Sequence, residues 1–134
     1  MVKYPYLLVA IVWTGLITYL SLSSFDDIDT GLNLIHIPHL DKIIHATFYL
    51  GSTSVWYLCF RSASTNTFFY RKALVIAAFF SLLYGWFMEY LQGSYTIARE
   101  GDWKDGIANT IGVVLAVILI INKDIVFRKL KIGK

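Results

Sequence analysis

Charge is scarce in this chain: of 134 residues only 16% are Asp, Glu, Lys or Arg, while 57% are apolar or aromatic. A water-soluble domain this small needs a charged shell around a modest core, so the shortage excludes an ordinary soluble globule. It points to a domain whose outside faces lipid. Cysteine is nearly absent too. Cys59 stands alone, which excludes an internal disulfide and any CxxC metal or redox pair and leaves it a small apolar filler near a helix end. There is no GxSxG, no HExxH and no Walker loop, so the usual signatures of serine hydrolysis, zinc proteolysis and nucleotide binding are missing. No internal repeat or low-complexity tract interrupts residues 1–134, which read as one domain. The net charge of +3 does not indicate a nucleic-acid partner, because the basic residues sit at the ends of apolar runs rather than along one face.

What the chain does have is long apolar runs. A hydrocarbon core of about 30 Å takes roughly 20 helical residues, and four runs approach that length, at about 5–23, 42–60, 73–92 and 106–122. The expected fold is therefore an all-α membrane protein, a bundle of four transmembrane helices. The first run has Lys3 before it and Ser21 and Ser23 behind it, the outline of a secretory leader. However, its apolar stretch from Tyr6 to Leu20 is long for one and carries bulky Trp13 and Tyr19, which fits an uncleaved span. With the spans so drawn, Lys3, Arg61, Arg71, Lys72, Lys123, Arg128, Lys129, Lys131 and Lys134 fall on one side, and only Lys42, Arg99 and Lys104 on the other. Basic residues are retained on the cytoplasmic side, so both termini are expected there. Every acidic residue except Asp124 lies at or beyond the outer ends.

Three polar stripes begin at that outer surface. Asp41, His45 and Tyr49 are four apart, Glu89 and Gln92 three apart, and Asp105, Asn109 and Gly112 four and three apart. Each spacing selects one helical face. Glu89 falls about one turn inside the boundary, where an uncompensated charge costs several kcal/mol. It therefore requires a neighbouring helix, a wet pocket or a partner charge: Arg99 first, then Lys42 or protonated His45. Polar residues at such depth can be glue that orders the helices. An acid, an imidazole, an arginine, an amide and a phenol at one face exceed what packing four helices requires, and intramembrane ionisable groups default to function.

These residues resemble the VanZ-like family of small bacterial membrane proteins. The resemblance rests on Asp41-Lys42-x-x-His45 with Tyr49, on Glu89-x-x-Gln92, and on Arg99 followed by Asp105-x-x-x-Asn109-x-x-Gly112, in the family's order and spacing from about Leu40 to Gly112. The chain departs from the pattern at Asp102, where the family often has a small residue or serine. That extra carboxylate bears on any anion Arg99 would hold. The resemblance implies a multi-pass protein of the bacterial cytoplasmic membrane, associated through the family's namesake with resistance to the glycopeptide teicoplanin. It implies no cofactor and no settled reaction.

Several functions remain open at the level of sequence. In an intramembrane enzyme acting on a lipid-linked or acylated envelope compound, His45, Glu89 and Asp105 would be the catalytic acids and bases. Arg99 would hold a phosphate or carboxylate, and Asp41, Lys42, Tyr49, Gln92 and Asn109 would complete the ligand site. A non-enzymatic protein would use the same residues to bind an amphipathic compound, with Phe25, Tyr90, Tyr95 and Trp103 near the outer surface; those aromatics equally fit an interfacial belt. His36, His39, Asp41 and His45 cluster as a metal set would, but Pro38 breaks a common helix for the first two. A proton-coupled carrier has little material in four short helices without a repeat, unless copies of the chain associate with one another or with another membrane protein.

Overall fold

The computed structural model describes residues 3–23, 39–95 and 102–132. Among them the chain forms four helices, α1 Lys3–Leu22, α2 Leu40–Ala63, α3 Thr67–Tyr95 and α4 Trp103–Ile132, and no strand. The three stretches Tyr4–Leu22, Thr67–Tyr95 and Trp103–Ile125 are long and apolar enough to cross a membrane, the mark of an integral membrane protein. α2 is long enough, about 36 Å at 1.5 Å per residue, but it carries Asp41, Lys42, His45, Thr47, Ser52, Thr53, Ser54 and Arg61.

Its position accounts for that composition. α2 packs against α1, α3 and α4, whereas α1 and α4 make no contact with each other among the described residues. A helix with three neighbours can turn most of its polar groups against protein, leaving Ile43, Ile44 and Leu58 on its outer side. The buried residues of α2 are His45, Tyr49, Ser52, Thr53, Tyr57 and Cys59. Large apolar side chains instead cover the outside, among them Leu8, Ile11, Val75, Phe79, Leu83, Phe87, Val114 and Ile118.

The core is lined with small and polar residues. α3 buries Ala73, Ala77, Ser81 and Gly85 at four-residue steps, and the same stripe ends in buried Glu89. Small residues at this spacing let helices approach closely. α2 and α4 approach closely where a Cβ added at Gly112 would run into the carbonyl oxygen of Ala46. Side-chain hydrogen bonds join the helices at other levels. Trp13 Nε1 donates to the Phe48 carbonyl at 3.1 Å, Trp56 Nε1 to Thr14 Oγ1 at 3.1 Å, Tyr84 and Thr18 share a hydroxyl pair, and Ser52 and Ser81 hydroxyls lie 3.2 Å apart. Each such bond contributes about 0.6 kcal/mol in a membrane bundle. At the far end Arg61 donates to the Tyr57 hydroxyl, to the Tyr70 hydroxyl at 3.1 Å and faces Asp124 at 3.5 Å, pinning α2 to α3 and α4.

Helix boundaries differ from those expected. Arg61 to Ala63 continue α2, Thr67 to Lys72 already belong to α3, and only residues 64–66 connect them. The expected boundaries followed bilayer thickness, whereas helices stop at local signals. Asn66 supplies one, its Oδ1 accepting from the Phe68 amide at 2.8 Å, as an N-cap does. α4 likewise starts at Trp103, behind Asp102, whose Oδ1 accepts from the Lys104 amide at 2.9 Å. It then runs past residue 122 to Ile132, with no Gly or Pro to stop it.

The α2/α4 crossing yields a direct test. Gly112→Ala should cost about 1–3 kcal/mol through forced separation of the two helices, lowering the unfolding midpoint in detergent. Gly15→Ala, where an added Cβ meets nothing within 4 Å, should leave it in place.

Candidate functional site

Three helix ends meet to build the polar cluster. The first turns of α2 carry Lys42, His45 and, a turn deeper, Tyr49; the last turns of α3 carry Glu89 and Gln92; the first turns of α4 carry Asp105 and Asn109. Asp41 and Asp105 also stand in the first turns of their helices, where the positive end of the helix dipole favours a carboxylate. His45, Tyr49, Glu89, Gln92 and Asn109 are all buried, Asn109 to 2% exposure.

The centre is a relay through Asn109. Its Nδ2 donates to Glu89 Oε1 at 3.0 Å, and its Oδ1 lies 3.0 Å from His45 Nδ1. A carboxylate oxygen accepts at that position, so the amide nitrogen must face Glu89 and the amide oxygen must face the ring. The ring nitrogen facing that oxygen must then carry the proton. In the neutral imidazole this leaves Nε2 with its lone pair, turned toward Asp105 Oδ2 at 3.9 Å. Glu89 thereby orients His45 through an intermediate amide. Glu89 Oε1 also lies 3.5 Å from His45 Nδ1, close enough to stabilise the imidazolium once it forms.

Lys42 forms the roof. Its Nζ lies 2.7 Å from Asp105 Oδ1, 2.8 Å from Asp41 Oδ2 and 3.5 Å from Asp102 Oδ2. It tethers the start of α2 to the start of α4 and thereby orients Asp105, whose second oxygen faces His45. The hydrogen bond from Lys42 is the chief cause holding the Asp41 carboxyl below its ordinary range. At Asp102 the amide of Lys104 does most of that, with Lys42 adding to it. The structure thus gives Lys42 to three aspartates rather than to Glu89, for which it was an alternative partner after Arg99.

The remaining expected residues sort by position. Tyr49 is 1% exposed and lies beneath His45, its ring against Gly85 and 6.2 Å from Tyr84; its hydroxyl is buried with no hydrogen bond among the described residues. Gln92 Nε2 donates to the Ser21 carbonyl at 2.7 Å and so ties the end of α3 to α1. Asp41 is exposed beside Lys42. Arg99, Phe25 and His36 lie outside the described residues. No group of three or more His, Cys, Asp or Glu among the described residues is placed to hold a metal ion. His39 instead starts α2 in the left-handed region, at φ 62°.

Sequence reasoning missed the wall of the site. A cavity of about 380 Å³ opens between α1 and α2, lined by Leu20, Ser21, Leu40, Asp41, Ile44, His45 and Phe48. Its lining is mostly apolar, with Ser21, Asp41 and His45 the polar residues among it. The available signal was depth: Leu20 and Ser21 close the first apolar run at the surface where the polar stripes begin.

Two outcomes are expected. Nitrogen-15 NMR of ring-labelled protein should find neutral His45 carrying its proton on Nδ1, and Asn109→Ala should restore the commoner Nε2–H form; a wild-type ring already protonated at Nε2 would overturn the relay. The second concerns acid. Because the folded-state carboxyl of Asp41 titrates below its ordinary value of about 3.9, its stabilising contribution is complete above that value and is lost as pH falls through the lowered one. Lys42→Gln should therefore lower the unfolding midpoint at pH 7 and flatten its fall in acid, as read by a pH series of thermal melts.

Comparison with known protein families, with curated proteins and with solved structures finds no match to this chain.

Proposed function

We propose that this chain is a VanZ-like protein of the bacterial cytoplasmic membrane, with four spans and both termini cytoplasmic. In this reading it recognises an amphipathic envelope compound, lipid-linked or acylated, at its extracytoplasmic end, and an acylated glycopeptide such as teicoplanin belongs to that class. One observation carries the proposal: the buried Glu89–Asn109–His45 relay ends at a groove with apolar walls, so a polar head can meet His45 while a chain lies along Leu20, Ile44 and Phe48. α2 serves as the fourth span because its three neighbours shield its polar face. The excess of basic residues at the opposite end supports the orientation.

His45 Nε2 is the atom that would take a proton from a bound hydroxyl or water, with Asn109 as its positioning residue. A purely structural role has one observation in its favour, that the Asn109 side chain joins α4 to both α2 and α3.

Native mass spectrometry of wild type and Glu89→Gln, purified in gentle detergent with total envelope lipid, separates the readings. A defined lipid-linked or acylated species retained by both forms supports binding, and accumulation on Glu89→Gln alone supports turnover. No selective species on either form, together with loss of folded protein in His45→Ala, would leave the structural role.

A further inference from the structure

We propose that the head of the compound taken by this site carries a primary ammonium, held between His45 Nε2 and the Asp105 carboxylate. This rests on the preceding reading that the site takes an amphiphile, and it narrows the class of head while leaving the tail open.

The relay sets the pair. Asn109 presents its amide oxygen to His45 Nδ1, so the neutral ring keeps its proton there and Nε2 can only accept. His45 is 8% exposed, and its Nε2 makes no hydrogen bond among the described residues. That nitrogen is aimed at Asp105 Oδ2, 3.9 Å away and beyond hydrogen-bond reach. Asp105 takes the Lys42 ammonium on its other oxygen at 2.7 Å, and as a carboxylate it has no proton to offer. Two acceptors thus face each other without a proton between them. A nitrogen seated about 2.8 Å from each would stand roughly 2 Å off the line joining them and would have to direct a proton at both. An ammonium with two or more N–H bonds meets that demand. A hydroxyl has one proton, a trimethylated ammonium has none, and a phosphate diester or carboxylate would bring a further acceptor. The pair is reachable, since the Asp105 side chain keeps 16% of its surface exposed and His45 lines the groove between α1 and α2.

Water also carries two protons, and charge favours the cation over it. Lys42 faces Asp41, Asp102 and Asp105, so the roof of the site is net negative. Asp41 also lines the groove beside His45. In the sequence every acidic residue except Asp124 falls at or beyond these helix ends, against three bases, Lys42, Arg99 and Lys104. A cleft lined mainly by one sign of charge concentrates ions of the other sign.

The test uses four amphiphiles that share a dodecyl tail, offered at equal mole fraction to the full chain in nonionic detergent and read by native mass spectrometry of the complex. Dodecylammonium has a positive charge and three N–H bonds. Dodecyltrimethylammonium keeps the charge without the donors, dodecanol has a single O–H and no charge, and dodecyl phosphate reverses the charge. Wild type should retain dodecylammonium about tenfold more strongly than each of the others. Asp105→Asn, whose amide can itself donate to Nε2, should bring dodecylammonium and dodecanol to equal retention. Asp41→Asn, at an exposed position, should lower dodecylammonium by a smaller factor and leave dodecanol unchanged. Should Asp105→Asn fail to fold, the wild-type ratios still decide. Equal or stronger retention of any of the other three by wild type would overturn this proposal while leaving a general amphiphile site standing. If none of the four is kept, an envelope species bearing a primary ammonium upholds the proposal and one without it overturns the proposal alone. Retention of nothing from either source would overturn both readings.

Discussion

A polar group that faces hydrocarbon costs several kcal/mol, and the arrangement of this bundle follows from where that cost is avoided. α2 holds a polar side chain at almost every turn, from Lys42 through His45, Tyr49, Ser52 and Thr53 to Arg61. Such a helix is stable in lipid only when enclosed. α1, α3 and α4 pack against it and carry most of the exposed apolar surface. The helix least suited to lipid by composition is thus the one around which the others are organised.

Enclosure also explains why the cluster is held so firmly. Lys42 ties α2 to α4 at one end, and Arg61 ties it to α3 and α4 at the other. Between them the backbones come close at Ala46 and Gly112, and Tyr49 fills the space against Gly85. A helix pinned at both ends and wedged in the middle cannot slide along its axis without breaking several contacts at once. His45 therefore meets Asn109 in a preformed geometry, so that the ligand site proposed above would need little further ordering.

Much of this was legible in the sequence, and the missing parts have identifiable causes. The helices were visible because the apolar runs are long, and the faces of His45, Glu89, Asp105 and Asn109 because three- and four-residue spacing leaves little freedom within a helix. Helix ends were not, since the bilayer limits the apolar run while Asn66 and Asp102 set the hydrogen-bonded start. Pairing between helices was legible only in part. Nothing local distinguishes Glu89 from Asp105 as the partner of Lys42, or marks Gln92 as the donor to the Ser21 carbonyl, because both depend on relative rotation of helices far apart in the chain. The four-residue stripe of small residues on α3 was present in the sequence and would have identified its buried face.

The separation of roles between inside and outside has a practical consequence. Leu8, Ile11, Phe79, Leu83, Phe87 and Ile118 point away from the bundle, and none of them touches the relay, the roof or the interhelical hydrogen bonds. Recoding that outer surface with Glu, Lys and Gln, good helix formers all, would produce a water-soluble analogue with an unaltered interior. In such a molecule the polar cluster could be titrated, labelled and crystallised free of detergent.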